Sequence, residues 1–255
     1  MNANPSYEVK FLLKDGKVLN SDHKLKDKYK TLFNINEELD MAMLYLDTKN
    51  TKLLNAQGWN VRVRKKETSS KTEFTFKKRY AVENNNLEAV LTAAAEEGFN
   101  AENTAYECEV DWGFAKKTLS FSYEKKNKFA DLKDTELPTK TVCVSYAKQF
   151  SPAEFNNYVY AGWGNENLDN CKKFGPVSAI RYKGTFNDLE LSVEVWKVIE
   201  EDGSGYDYIV EASFKADDYI AALENKCDLM TLLVSKDILK AEDSLKTQLI
   251  LERYN

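Results

Sequence analysis

The sequence predicts an α+β protein, mainly antiparallel β, whose strands close into a barrel around a charged interior. Three observations lead to this fold class: side chains alternate with a period of two in many short segments, helical patterns lie between and after them, and several strands carry charges of one sign. Because successive side chains of a strand point to opposite faces, such alternation indicates sheets with two chemically different sides. A chain of 255 residues, 43% of them hydrophobic, is long enough to bury a core.

The predicted strands are short alternating segments bounded by turn residues. Eight alternate clearly, at residues 6–13, 41–47, 59–67, 72–80, 106–112, 177–186, 189–199 and 206–214, and 118–123 is a weaker ninth candidate. Asp-Gly at 15–16, Asn-Asp at 187–188 and the glycines at 203 and 205 lie at boundaries, as turns require. This spacing favours an antiparallel sheet of many short strands.

Four helical patterns complete the predicted elements. They cover residues 87–97, with Gly98 as the expected stop, 152–160, 217–225 and 240–251. Two stretches rich in Asn and Lys, 124–140 and 162–173, are predicted as loops. We expect a single domain over residues 1–255, with barrel strands at about 6–215 and C-terminal helices at about 217–251. The last helix either covers the barrel or mediates a homodimer.

Composition and charge argue against several classes of function. The formal net charge of −5 gives no basic excess, so DNA is not an expected partner. No stretch approaches ~18 apolar residues and the N-terminus has no apolar signal region, which predicts a cytoplasmic protein without a membrane partner. The four cysteines form no CxxC pair, so neither a zinc ribbon nor a thioredoxin-like motif is supported.

The chain has a single histidine, His23, in a lysine-rich segment. That count excludes zinc held by several histidines, and it argues against a Ser-His-Asp or Cys-His nucleophile. Any metal ion must therefore be held by carboxylates, which favours a hard ion such as Mg²⁺ or Mn²⁺.

The charged faces of the strands carry the candidate chemistry. Residues two apart that share a face are Ser6, Glu8 and Lys10; Asn60, Arg62, Arg64 and Lys66; Glu73, Thr75, Lys77 and Arg79; Glu107, Glu109 and Asp111; Arg181 and Lys183; Glu190, Ser192 and Glu194; and Glu211 and Ser213. The alternative is that these faces are the solvated side of ordinary antiparallel sheets. However, the charged face of some strands carries charges of one sign only, and like charges repel unless opposite charges lie across from them.

A barrel with these faces inward would bring both signs of charge together around a tunnel. Arginine and lysine would bind phosphoryl oxygens there, and the guanidinium fork would give bidentate contacts. Carboxylates would hold divalent cations that bridge to the same oxygens. The faces therefore point to a phosphate-bearing ligand bound through metal.

Short motifs follow one another in a recognisable order along residues 6–215. They are Ser6-Tyr7-Glu8-Val9-Lys10, Tyr45-Leu46-Asp47-Thr48 followed by Leu53-Leu54, Arg62-Val63-Arg64 and Phe74-Thr75-Phe76-Lys77, and later Tyr106-Glu107-Cys108-Glu109, Ala179-Ile180-Arg181-Tyr182 and Val210-Glu211-Ala212-Ser213. This order resembles the CYTH/triphosphate tunnel metalloenzyme family, whose pattern runs ExExK, YxDT with a leucine-rich turn, RxR and a strand ending in lysine. The resemblance is strongest from Tyr45 to Lys77.

The resemblance implies an eight-stranded tunnel barrel with flanking helices, binding a triphosphate or polyphosphate small molecule with Mg²⁺ or Mn²⁺. It implies catalytic roles for Glu8, as a metal ligand, and for Lys10, as a phosphate contact or an aid to the attacking water. The implied substrate-binding residues are Arg62, Arg64, Lys77 and Arg181, and Glu107, Glu109 and Glu211 are implied to bind metal with Glu8 or to order the basic residues. From the strand faces we add Arg79 and Lys183 as substrate-binding residues and Glu194 as a metal ligand.

The chain departs from the family pattern at Ser6 and Ser213, where glutamates are expected. A serine oxygen is a weaker ligand for a divalent ion, so metal affinity should fall unless Glu190 or Glu194 compensates. The main hypothesis is a metal-dependent phosphohydrolase acting on inorganic tripolyphosphate or on a nucleoside or thiamine triphosphate. The alternatives are a catalytically degenerate polyphosphate- or nucleotide-binding tunnel protein, a class IV adenylate cyclase-like enzyme, and an unrelated sheet protein acting through protein contacts.

Overall fold

The computed structural model describes residues 1–243 and 246–254, and ten strands of this part of the chain form one sheet. The strands are β1 Ser6–Leu13, β2 Glu37–Thr48, β3 Trp59–Lys66, β4 Lys71–Ala81, β5 Glu107–Trp112, β6 Lys117–Lys128, β7 Cys171–Phe186, β8 Leu189–Ile199, β9 Tyr206–Ala216 and β10 Leu239–Lys240.

Nine of the strands close into a barrel. Their order is β1-β5-β6-β4-β3-β2-β7-β8-β9, and β9 pairs with β1 to complete the circle. Only β1 and β5 run parallel, and β10 is a short addition that pairs with Leu12 and Leu13 of β1. The predicted closed, mainly antiparallel barrel is therefore confirmed. Its strand number is nine and not eight, because the weaker candidate at 118–123 is part of β6, which pairs along its length with β4.

Helices flank the barrel and connect its strands. They are α1 Asp15–Val18, α2 Asp27–Leu32, α3 Leu53–Ala56, α4 Leu87–Glu96, α5 Lys140–Phe150, α6 Ala153–Asn156, α7 Trp163–Asp169, α8 Tyr219–Ser235 and α9 Lys246–Arg253, with a 3₁₀ turn at Glu83–Asn85. Asp218 begins α8 as an N-cap, because its side chain accepts a hydrogen bond of 2.9 Å from the Ala221 amide.

Several predicted boundaries were wrong. Residues 124–140 and 162–173 are not loops throughout: the first contains the end of β6, and the second contains α7. Helix α5 was not predicted, and the helix predicted at 152–160 is only the short α6. The helix predicted at 240–251 begins at Lys246, and positions 244 and 245 lie outside the described residues. Polar composition suggested loops there, but packing against the barrel overrides such weak local preferences.

Strand β7 begins six residues before the predicted start, because Gly175 and Pro176 resemble a strand break in the sequence. The sheet accommodates them by a register shift in β2 between Met43 and Tyr45. Gly175 has φ of +115°, and a Cβ atom there would lie 3.1 Å from the Met43 carbonyl oxygen. Glycine is therefore required at this irregularity.

The main hydrophobic core lies outside the barrel, between its outer surface and the helices. Outward residues such as Val61, Val63 and Phe74 are fully buried there. A second apolar cluster lies on the inward side of β2, β7 and β8, and we call its inward strand residues the apolar wall: Met41, Met43, Tyr45, Val177, Ala179, Trp196 and Val198. Ile250 and Leu251 of α9 pack against this wall. The rest of the barrel interior is thereby left to polar side chains.

Within the described residues, no helix combines the length and apolarity needed to cross a membrane.

Candidate active site in the barrel interior

The barrel encloses a polar cavity of about 930 Å³. Of the site residues predicted from the sequence, all but Lys183 line it: Glu8, Lys10, Arg62, Arg64, Lys77, Arg79, Glu107, Glu109, Arg181, Glu194 and Glu211. Lys183 lies near the end of β7 and pairs instead with Glu37 at 3.0 Å. A second cavity of about 320 Å³ adjoins the first, and Lys10, Arg79 and Lys246 line both. The charged faces thus turn toward a shared interior and not toward bulk solvent.

The inward direction follows from the alternation of each strand. In β3, Trp59, Val61 and Val63 are fully buried under the helices, so Arg62 and Arg64 must point into the barrel. We call the inward charged residues of β1, β3, β4, β5, β6 and β9 the charged wall.

Three carboxylates of the charged wall form one cluster. Glu8 lies on β1, and Glu109 and Asp111 lie on β5, whose parallel pairing places Glu8 opposite Asp111. One oxygen from each carboxylate lies within 4.8 Å of the other two. We call this group the carboxylate trio.

Lysine side chains surround the trio and offset its negative charge. Lys10 Nζ lies 2.6 Å from both Glu8 Oε2 and Asp111 Oδ1, and Lys77 Nζ lies 3.2 Å from Asp111 Oδ2. On the other side, Lys215 Nζ lies 2.6 Å from Glu109 Oε1. The trio is therefore held together by cations of the protein itself.

The charges of this cluster perturb its ionisation. Burial lowers the pKa of Lys10, but Asp111 and Glu8 outweigh burial and hold the pKa well above its ordinary value. Burial raises the pKa of Asp111, but Lys10, Lys77 and Arg79 outweigh it and hold the pKa well below its usual range. The pKa of Glu109 is raised, by burial and then by the neighbouring charge of Glu8.

The arginines of the interior differ in how they are paired. Arg181 donates from Nε to Glu194 at 2.8 Å, and Arg64 donates to Glu73 at 2.6 Å. Arg62 has no carboxylate within 4.0 Å among the described residues; its Nη2 lies 3.4 Å from Thr75 Oγ1, and its buried Nε has no hydrogen-bond partner. A partly buried guanidinium group with an unused donor is prepared to bind an anion.

The carboxylate trio fits a hard divalent ion. Mg²⁺ and Mn²⁺ prefer carboxylate oxygens, and the trio supplies three in one place. Glu211 lies nearby on β9, is 4% exposed, and has one oxygen, Oε2, without a hydrogen-bond partner among the described residues. Glu109 Oε1 likewise makes no hydrogen bond of normal geometry, although the Lys215 ammonium lies beside it. Buried carboxylate oxygens of this kind suit a metal ligand set.

Besides Glu211, two further predicted metal ligands lie outside the trio, Glu107 and Glu194. Glu107 is exposed at the margin of the cavity. Glu194 is held by the Arg181 guanidinium, by Trp196 Nε1 at 2.7 Å and by Lys246 Nζ at 3.3 Å. Their predicted roles as metal ligands are thus less well supported by position than those of Glu8 and Glu109.

Sequence reasoning did not select some residues of the site. Lys246 enters the cavity from α9, lies 2.7 Å from Glu211 Oε1, and lies 4.3 Å from the centre of the Trp196 ring. No strand alternation could indicate it, because it comes from a helix. Asp111 could have been selected as a metal ligand, since it continues the alternation of Glu107 and Glu109.

The Tyr45-Leu46-Asp47-Thr48 motif has a structural explanation. Buried Asp47 accepts hydrogen bonds of 2.9 Å from the amides of Leu54 and Asn55, which begin helix α3. Tyr45 belongs to the apolar wall. The motif therefore shapes the β2–α3 turn and does not supply a charged group to the cavity.

No protein-family model and no curated protein matches the chain. Solved structures do match. The putative adenylyl cyclase HpAC1 from Hippeastrum, described as having a dominant triphosphatase activity, is 12% identical over 95% of this chain and 93% of its own, with a TM-score of 0.56. A putative adenylate cyclase from Bacillus halodurans is also 12% identical, covers 97% of this chain and 98% of its own, and has a TM-score of 0.51.

At such low identity the likeness establishes the fold and no more. It extends over nearly the whole chain in both cases, so it includes the closed barrel. The chain therefore shares the fold of these two structures, in agreement with the fold that its motifs predict through their resemblance to the CYTH/triphosphate tunnel family.

Proposed function

We propose that this protein is a metal-dependent phosphohydrolase that acts on a triphosphate-bearing substrate inside the barrel. Inorganic tripolyphosphate, a nucleoside triphosphate and thiamine triphosphate are the candidate substrates. One observation carries the proposal: Glu8 and Glu109 of the carboxylate trio line the same cavity as Arg62, which has no carboxylate partner among the described residues, and Asp111 lines the adjoining cavity. Cations for phosphoryl oxygens and ligands for a divalent ion are the two parts that phosphoryl transfer needs.

In this proposal the residues of the chain bind and orient the substrate. Arg62, Lys77 and Arg79 donate to phosphoryl oxygens, and Lys10, fixed by Glu8 and Asp111, donates from beside them. Glu8, Glu109 and Asp111 would hold Mg²⁺ or Mn²⁺, which when bound neutralises charge on the phosphoryl oxygens.

The proposed reaction is in-line attack of water on the terminal phosphorus. The bond between that phosphorus and its bridging oxygen breaks, and the products are orthophosphate and the shortened diphosphate. One proton of the attacking water is released to the medium. No redox partner is needed. Because phosphoryl transfer requires little covalent chemistry from the protein, positioning and charge neutralisation supply most of the rate acceleration.

Phosphate release from tripolyphosphate and from ATP tests the proposal. We expect release with Mg²⁺ or Mn²⁺ and none with a chelator. Lys183→Ala is the matched control, because Lys183 lies outside the cavity and its loss should leave turnover unchanged. Absence of turnover on every candidate substrate with either metal would remove the enzymatic assignment.

A binding protein without turnover is the second candidate, and the inward serines favour it. Ser192 and Ser213 line the cavity, and Ser6 pairs with Glu109 in the sheet, so neutral groups stand where further metal ligands could lie. This candidate predicts that tripolyphosphate raises the melting temperature without being hydrolysed.

Analysis of the ATP products also detects cyclase activity, which would appear as cyclic AMP and pyrophosphate in place of orthophosphate.

A further inference from the structure

One carboxylate lies within the basic side of the tunnel. Glu73 of β4 is 3% exposed and is surrounded by three cations, Arg64, Lys66 and Lys126, which we call the outer basic cluster. Glu73 Oε2 lies 2.6 Å from both Nε and Nη2 of Arg64. Glu73 Oε1 lies 3.1 Å from Lys66 Nζ and 3.7 Å from Lys126 Nζ. A carboxylate of the protein itself is thus already paired with all three cations of this cluster.

Glu73 carries its charge at neutral pH. Burial raises its pKa, but Arg64 and Lys66 outweigh burial and lower the pKa to about 2. Glu124, at the rim, adds a second carboxylate 3.0 Å from Lys126 Nζ. The three cations are therefore largely neutralised before any ligand arrives.

The outer basic cluster lies beside the hairpin that joins β3 to β4, since Lys66 is the last residue of β3 and Glu73 is the third residue of β4. The side chains of Lys66 and Lys126 are 25% and 47% exposed, whereas that of Lys77, farther along β4, is 15% exposed. Along β4, Lys77 lies four residues from Glu73, which is about 13 Å of strand. Across the sheet, Arg64 of β3 is paired with Glu73 of β4. Arg62 is paired with Thr75, which is the next inward-facing position away from the β3–β4 hairpin.

The two arginines of β3 therefore offer different environments to an anion. A phosphate beside Arg62 meets a guanidinium group without a carboxylate partner among the described residues. A phosphate beside Arg64 must compete with Glu73, which is already bound through two nitrogens. Displacing a buried, charge-assisted hydrogen bond is costly.

We propose that Glu73 limits the length of the phosphate chain that the tunnel holds, because its carboxylate takes the place of a further phosphate on the outer basic cluster. This inference rests on the function proposed above. A triphosphate, free or esterified, fills the inner region around Arg62 and Lys77. A longer polyphosphate must displace Glu73 or leave its outer phosphates against a carboxylate. The favoured substrate class is a short phosphate chain.

Binding of tripolyphosphate and of long-chain polyphosphate, measured by calorimetry with chelator present, tests the inference without turnover. We expect Glu73→Gln to strengthen binding of the long chain on the order of tenfold and to change tripolyphosphate binding less than about twofold, since only the long chain reaches the freed cations. Glu38→Gln is the matched control: Glu38 also pairs with two lysines, Lys24 and Lys30, but these lie on α2 and its preceding loop, outside the cavity.

Glu124→Gln provides a second variant should Glu73→Gln not fold, because Glu124 is about one-third exposed; it should give a smaller gain of the same sign. The inference is overturned if Glu73→Gln weakens both ligands, which would make Glu73 a positioning group for Arg64, or if it strengthens both equally. Failure of the proposed function appears differently, as absence of tripolyphosphate binding and turnover in the unaltered protein.

Discussion

The charged wall and the apolar wall occupy equivalent inward positions of one barrel, yet their chemistry is opposite. Inward residues of β3 and β5, such as Arg62 and Asp111, face the two adjoining cavities. Inward residues of β7 and β8, such as Val177 and Val198, are fully buried in the cluster that packs against α9. Both sets follow the same alternation, so an inward direction alone does not decide whether a residue serves function or stability. What lies opposite the residue, a cavity or helix α9, decides whether it serves function or stability.

Substitution in the trio should produce the largest effect. Asp111→Asn removes the charge that Lys10 and Lys77 both contact, and it replaces one of the three anionic groups available to a metal with a neutral amide. If the protein is the proposed hydrolase, we expect its turnover to fall about a hundredfold or more. Initial rates of phosphate release at saturating Mn²⁺ measure this, and circular dichroism verifies folding. Near-normal rates in a folded variant would place the metal elsewhere.

The apolar wall should respond in stability. Met43→Ala removes a fully buried side chain from the cluster that receives α9, so unfolding free energy should fall by about 2–4 kcal/mol. Urea denaturation measures the loss. Val159→Ala is a control of the same kind on an exposed side chain and should change stability little. An equally small effect for Met43→Ala would mean that the wall is not packed against α9 in solution.

Arg62→Ala, on the charged wall, should weaken ligand binding and leave stability nearly unchanged. Because the Arg62 guanidinium has no carboxylate partner among the described residues, its removal should change unfolding free energy by no more than about 0.5 kcal/mol. Tripolyphosphate binding should weaken about tenfold, since a charge-assisted contact is lost. Calorimetry and denaturation of the same sample separate the two quantities. A large loss of stability with unchanged binding would move Arg62 from ligand binding to structure.

The smallest effect concerns the outer surface behind the charged wall. Lys78 is 4% exposed and donates to the Gln57 carbonyl and to Tyr158 Oη, and burial lowers its pKa from 10.5 to about 8. The unfolded chain therefore binds the proton more tightly between these values, so stability should rise with pH there. We expect a gain of about 1 kcal/mol from pH 7 to 8.5. Denaturation of Lys78→Met across this range should lack that gain; an identical slope in both proteins would contradict the assignment.

Much of the barrel was predictable because its information is local. Alternation of polar and apolar side chains placed Arg62 and Arg64 on one face, and Glu107, Glu109 and Asp111 on another, and the structure brings both faces to the cavity. Where packing overrode local preference, prediction was wrong. Helices α5 and α7 lie within or beside stretches that look like loops, and β7 continues past a Gly-Pro pair that resembles a strand end.

The sequence by itself determined which side chains share a strand face, because that follows from the two-residue repeat of the extended backbone. Only the tertiary structure decided which of those side chains meet. It left Lys183 beyond the cavity, brought Lys246 into it from a helix, and placed Glu73 among three cations. The physical reason is that these contacts depend on barrel closure and on the docking of α9, which join residues far apart in the chain.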